Sequence, residues 1–236
     1  MSASATASPA SAATYGAAFW EGLWRGNGLN TAIFLVVAFF VYGNPPGIHA
    51  SADELVAFYA AHHTRILIAA VVYGLGILNL AWFAAAVTST LRAAGQAGWG
   101  AAETAASSAV ACLLLLLVAL GAASAYAIAG AGDAALTVAL HQVGWAIFVL
   151  SSFPRAMLIM AASFGLWRAE IISNRMFGAG VTAVVMGVLS GTTWMADGIW
   201  APDGAYSRLV FPIVSLVWLV VFGGIIKSAP ATRGEW

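Results

Sequence analysis

The sequence predicts an all-α fold: a polytopic transmembrane helical bundle of about six spans, with a short amphipathic extracytoplasmic helix between spans 1 and 2. Three observations predict it. Of 236 residues, 62% are apolar and only 8% are charged, against about a quarter charged in a soluble domain. The apolar residues fall in runs of about 20, the length a helix needs to cross hydrocarbon. The basic residues collect in alternate connections between those runs, as topology demands. So little polar area could not cover a water-facing surface. Nine Lys/Arg balance nine Asp/Glu, so composition carries no electrostatic footprint for nucleic acid.

Residues 1–14 form a Ser/Ala/Thr string without a charged side chain. They lack the basic n-region and apolar stretch of a signal peptide and read as a disordered cytoplasmic tail. In 15–27, Phe19-Trp20-Glu21-Gly22-Leu23-Trp24-Arg25 alternates aromatic and charged residues. Tryptophan prefers the headgroup layer, so this is an interfacial segment. The transmembrane domain covers 28–227, with spans at about 28–43, 65–91, 104–130, 138–167, 176–197 and 208–227. Each must be helical, because backbone groups in hydrocarbon find no partner but one another. Asn44-Pro45-Pro46-Gly47, Gly95-Gln96-Ala97-Gly98, Gly130-Ala131-Gly132-Asp133 and Ala201-Pro202-Asp203-Gly204 punctuate the runs, since proline cannot continue a helix and glycine supplies the turn. A short tail, 228–236, follows. Cys112, the one cysteine, cannot form an internal disulfide and reads as a small apolar residue.

Six spans put both termini on one side. That side holds Arg25, Arg92, Arg168, Arg175, Lys227 and Arg233; the other holds only Arg65 and Arg208. Six against two places both termini in the cytoplasm and the chain in the cytoplasmic (inner) membrane. The outer face is acidic, with Asp53, Glu54, Asp133, Asp197 and Asp203.

After Pro46, residues 51–63 open like a capped helix. Ser51 can accept from a free backbone N–H, Glu54 stands at the capping-box spacing, and early acids suit the helix dipole. Leu55, Phe58, Tyr59 and His62 share one face. The stretch PPGIHASADELVAFYAAHHTRILIAAVVYGLGILNLAWFAAA, residues 45–86, resembles a lead-in of multi-pass membrane proteins from high-GC actinobacteria grouped under a domain-of-unknown-function label. The resemblance implies six spans with an extracytoplasmic helix after the first, and it brings no activity with it.

Arg155, within Ser151-Ser152-Phe153-Pro154-Arg155, is the sharpest polar anomaly. It stands twelve residues before Trp167, roughly 18 Å along a helix, too far for its side chain to reach the membrane surface. A charge at that depth usually faces a polar interior. Pro154 lacks an N–H and frees a carbonyl one turn back, near Leu150, for a guanidinium to take up. No acid is expected near the midplane of a span, so the neutralising partners are Asn79, Ser190 and Ser215, or Asp197 through a kinked helix, or an external anion. Alternatively span 4 covers 134–153, Arg155 marks the cytoplasmic border and 156–170 is an emergent helix. His141, Trp145, Phe148, Ser152 and Arg155 form one inward stripe; Thr182, Met186, Ser190, Thr193 and Asp197 form another beside the small pair Gly187 and Gly191. The candidate ligand residues are therefore Arg155, Asn79, Ser152, Ser190 and Asp197.

All four histidines, His49, His62, His63 and His141, gather at the outer side. A zinc or haem site there would use His62 and His141, with Asp197 next, though adjacent His62 and His63 cannot face one point. No GxGxxG, P-loop, GxSxG or arginine array occurs in the sequence, which disfavours nucleotides and hydrolase chemistry. The cofactor is unknown from sequence. Three functions stay open: a non-enzymatic accessory or structural subunit of a membrane complex, a binding protein or carrier for a small anionic or amphipathic ligand on Arg155, and a membrane enzyme or haem/metal protein using outer His and Asp. The expected partners are the lipid bilayer and other membrane subunits or further copies of the chain.

Overall fold

The computed structural model describes residues 22, 24–128, 131, 133–195 and 197–229. The expected disordered tail 1–14, most of the interfacial segment before Trp24, and nearly all of the C-terminal tail lie outside them. Among the described residues the chain is helical throughout and contains no strand. In order come α1 (Asn27–Tyr42), α2 (Ala52–Ala61), α3 (His63–Ala93) and α4 (Ala97–Ala123), then α5 (Ala134–Leu150), α6 (Ser152–Arg168), α7 (Asn174–Gly191) and α8 (Phe211–Ser228).

Four segments are long and apolar enough to cross a membrane: His63–Ala93, Ala97–Ile128, Ala134–Arg168 and Tyr206–Ser228. The two α5–α6 halves thus make one rod of 35 residues. The remaining two expected spans are shorter. α1 is apolar with 16 residues, and α7 has 18 but opens on Asn174 and Arg175.

The local signals in the sequence act as physical chemistry requires. Gly43, at φ +81°, ends α1 in a conformation that costs glycine nothing. The Glu54 N–H donates to Ser51 Oγ at 3.3 Å, capping α2. Asp133 Oδ1 accepts from the Leu136 N–H at 3.0 Å to start α5, and Ser173 Oγ caps α7 at Met176. α7 stops at Gly191 and passes into a short 3₁₀ turn, Thr193–Met195. The helix expected to reach 197 is therefore shorter, and Asp197 stands exposed in the connection that follows.

Glycines set the closest helix contacts. A β-carbon on Gly28 would lie 2.9 Å from the Cα of Gly223, so the backbones of α1 and α8 touch. On Gly187 it would meet the Phe211 ring at 2.8 Å and the Ala156 side chain at 2.9 Å. Gly191 faces Phe153 in the same way, and Gly180 faces Ser163. Thus α7 packs on α6 along Gly180, Ala183, Gly187 and Gly191, where small residues let backbones approach. Of the polar stripe expected on α7, Ser190 and Thr193 are buried, whereas Thr182 and Asp197 are exposed. The glycines decided the rotation of this helix.

The core lies toward the end that carries Trp24, Leu91, Leu166 and Ile226. Phe83, Val87 and Leu91 of α3, Ile159 and Leu166 of α6, and Phe211, Phe222 and Ile226 of α8 are all nearly inaccessible there. Burial of α6 along Leu158, Ile159, Ala161, Ala162 and Leu166 makes it an interior helix, unlike an emergent surface helix after residue 155. At the far end a smaller cluster joins Tyr59 of α2, Ile66 of α3 and Ala125, with Tyr42 and Phe58 against them. Between the two clusters the bundle is hollow.

Candidate functional site

The break between α5 and α6 is the starting point. Pro154 cannot donate a backbone N–H, and around the break the carbonyls of Phe148 and Val149 need other partners. Side chains supply them. Ser151 Oγ donates to the Phe148 carbonyl at 2.6 Å, and Ser152 Oγ donates to that of Val149. Arg155 folds back along the helix, its Nη2 donating to Phe148 O at 3.1 Å and its Nε to Ser151 O at 3.3 Å. Helical side chains lean toward the N-terminus, which makes this reach natural. The guanidinium also lies over two rings, 5.4 Å from the Phe148 centroid and 4.8 Å from that of Phe211. Among the described residues no carboxylate pairs with it.

Arg155 lines a cavity of about 540 Å³. Its walls come from α1 (Leu35, Phe39), α3 (Tyr73, Ile77), α4 (Leu114, Leu117), α5 (His141, Trp145), α6 (Leu158, Ile159) and α8 (Ile213, Leu216). The glycine face of α7 packs too tightly to line any of it. The lining is apolar apart from a few groups, and its only charged members are Arg155 and Arg208. Phe40, on the same wall, is 74% exposed, so the cavity opens sideways between helices at the protein's apolar perimeter.

Arg208, in the π-helical turn Tyr206–Val210 before α8, sits at the far end of this cavity. It donates to Asn44 Oδ1 and, at 2.6 Å, to the carbonyl of Pro45, and its guanidinium lies 5.6 Å from the Trp145 ring centroid. Asp203 lies near enough to act on it electrostatically, while Asp203 Oδ2 accepts from the Ile48 N–H at 3.0 Å. Pro45 and Arg208 also belong to an open groove on the outside, with Asn44, Glu54, Phe58 and His62. Groove and cavity therefore meet at Arg208.

His141 ties the far end together. Its Nδ1 is 3.1 Å from the Tyr59 hydroxyl, joining α5 to α2. Its Nε2 is 3.2 Å from both the Pro46 and Gly47 carbonyls, and the Trp145 indole N–H points at that same nitrogen from 3.1 Å. One nitrogen cannot accept from an indole and donate to carbonyls in a single tautomer, so His141 chooses between its α5 neighbour and the proline loop. Burial pushes the Tyr59 phenol above the ordinary tyrosine range, an effect that a bond with Tyr42 partly offsets.

The sequence-derived candidates separate accordingly. Arg155 is at the cavity, and Ser152 supports the helix break that positions it. Asn79 donates to its own helix, at Leu75 O (2.8 Å), and does not line the cavity. Ser190 is buried against α6 and accepts, through its carbonyl, from Thr193. Asp197 is remote in an exposed connection. His62 bonds to Phe58 O at 2.9 Å and stacks on that ring. His62 and His141 thus hold different partners, and among the described residues no group of three or more His, Cys, Asp or Glu could grip a metal.

One polar group escaped the sequence reading. Glu103 stands just before the third expected span, yet α4 begins six residues earlier and buries it completely. It lies beside the α3–α4 turn, away from the midplane where no acid was expected. Thr88 Oγ1 of α3 lies 2.8 Å from Glu103 Oε2, 2.8 Å from Thr104 Oγ1 and 3.2 Å from Gly100 O. Glu103 Oε1 has no partner among the described residues. The available signal was Thr88 and Glu103-Thr104, which flank one short helical hairpin turn.

Comparison with known proteins adds no relative: the chain matches no family model, no curated protein and no solved structure.

Proposed function

We propose that this chain is a membrane-embedded binding protein or carrier for an amphipathic anion whose charged end rests on Arg155. One observation carries the reading: a guanidinium without a carboxylate partner among the described residues lines a cavity of about 540 Å³ that is otherwise mostly apolar. A charge in so apolar a place is costly unless neutralised. Two backbone carbonyls engage two of its five donors. The rest suit an anion, and the apolar walls suit the tail attached to it. The volume lies within the range of small-molecule sites, about 300–1,000 Å³.

The reading includes six crossings with both termini cytoplasmic. Helices of 16 and 18 residues are roughly 24 and 27 Å long, near the 30 Å of hydrocarbon. Six basic residues against two support that orientation for an inner-membrane protein. The likeness of residues 45–86 to actinobacterial multi-pass proteins agrees with the count. An accessory-subunit role draws on helix packing alone, and exposed side chains such as Ile33, Val71 and Val217 suit lipid as well as a partner.

The test is retention. Wild type and Arg155→Ala are purified from native membranes, and bound amphiphiles are read by native mass spectrometry. The variant is expected to lose them while keeping its helical circular dichroism. Unchanged retention in a folded variant overturns the proposal.

A further inference from the structure

The cavity holds a second cation, and its placement narrows the ligand. Arg208 lies against Trp145 and Arg155 against Phe148. These rings belong to residues i and i+3 of α5, packed edge to face with centroids 5.8 Å apart. Residues 145 and 148 are about 4.5 Å apart in rise along α5, and both guanidinium groups line the same cavity. No Asp or Glu lines the cavity beside them. Outside the lining, Asp203 accepts from the Ile48 N–H and acts electrostatically on Arg208, while Glu54 lines the groove.

Resting on the amphipathic-anion reading, we propose that the cavity binds the phosphate-monoester headgroup of a single-tailed lipid between Arg155 and Arg208. The match of acceptor oxygens to two arginine forks selects the headgroup. A carboxylate brings one negative charge, whereas a phosphate monoester brings about 1.5 to 2 at neutral pH and three acceptor oxygens. Two arginine forks match that geometry, since each can present parallel donors to separate oxygens. Volume selects the tail. At about 30 Å³ for each water-sized group, a cavity of about 540 Å³ holds roughly eighteen such groups. A methylene is close to that size, so one long tail fits and the two of a phospholipid do not. The headgroup reaches the site from the outer groove, where Pro45 and Arg208 are common to both spaces, and the tail follows through the lateral opening beside Phe40.

The experiment is calorimetric titration of the purified full chain in detergent with hexadecyl phosphate, palmitate, hexadecanol and inorganic phosphate. Hexadecyl phosphate is expected to bind tightest, at least about tenfold over palmitate, the worth of one more charge-assisted hydrogen bond. Arg208→Lys, which keeps the charge and loses the fork, is expected to erase that advantage. Its thermal melt is compared with wild type, while the wild-type ligand ranking stands independently of any variant. Equal affinity for palmitate and hexadecyl phosphate overturns the two-arginine phosphate site and leaves the broader reading intact. Inorganic phosphate binding as tightly as its alkyl ester overturns the lipid assignment in favour of a free anion. Hexadecanol binding as tightly as the charged amphiphiles, or no binding by any amphiphile, overturns both this proposal and the one on which it rests.

Discussion

Arg155 donates to the carbonyl of Phe148, seven residues behind it, at 3.1 Å, so its charge is carried back from its own backbone toward the far end. The helix break at Ser151–Pro154 makes that carbonyl available, and the charge in turn lines the cavity. Replacing Arg155 with methionine removes a buried charge and keeps much of the volume. A charge set among apolar groups without a carboxylate partner carries a desolvation cost, which this exchange removes. We expect Arg155→Met to melt at or above the wild-type temperature in detergent while losing its amphiphile. A large drop in melting temperature would instead make Arg155 a structural clamp.

The glycines of α7 offer a paired test. Gly187→Val must displace the Phe211 ring or Ala156, which lie 2.8 and 2.9 Å from its β-carbon position, at a cost of about 1–3 kcal/mol. Gly178 has nothing within 4 Å. Gly178→Ala should stabilise by up to about 1 kcal/mol through helix propensity. Thermal melts of both variants check the opposite signs.

Glu103 should tolerate loss of its charge better than loss of its shape. Glu103→Gln retains an oxygen for Thr88 and removes an ionisable group whose Oε1 has no partner among the described residues. Its melting temperature is expected to equal or exceed that of wild type. Glu103→Ala leaves a void and is expected to cost about 1–3 kcal/mol. The order of the three melting temperatures tests this, and a strongly destabilised glutamine variant would contradict it.

Tyr59 makes the α2 contact sensitive to alkali. Burial raises its folded-state pKa above the ordinary 10.0, so the folded chain keeps a proton that the unfolded chain has begun to lose. Its contribution is fully present below that ordinary value and is lost as pH rises through the folded value. The hydroxyl faces His141 and Tyr42, and its ionisation would break the contact that seats α2. Melting temperatures recorded between about pH 9 and 12 should fall less steeply for Tyr59→Phe than for wild type. Parallel curves would show that this phenol does not control the contact.

Much of the architecture was legible because its signals are local. The capping of α2 by Ser51 and of α5 by Asp133 depends on residues a few positions apart, and Gly43 ends α1 where the glycine signal stood. The approach of α6 and α7 was readable in Gly187 and Gly191, but the wall they form was not. That depended on which side of α7 met Phe211 and Ala156, a matter of packing between residues distant in sequence. For the same reason Asn79, Ser190 and Asp197 looked available to Arg155 in depth, yet they face elsewhere. Glu103 was hidden by a boundary: starting α4 at Ala97 carried it inward onto Thr88.

What the sequence by itself determined is the apolar helical framework, since hydrocarbon leaves a backbone no other way to satisfy its own hydrogen bonds. It also marked Arg155 as a charge out of place. Only the tertiary structure decided that this charge borders a hollow instead of a neutral cage, and that Arg208, more than fifty residues away, shares the hollow with it. A cavity is the space left over when several helices pack, set by which faces meet, and no local pattern within one helix specifies it.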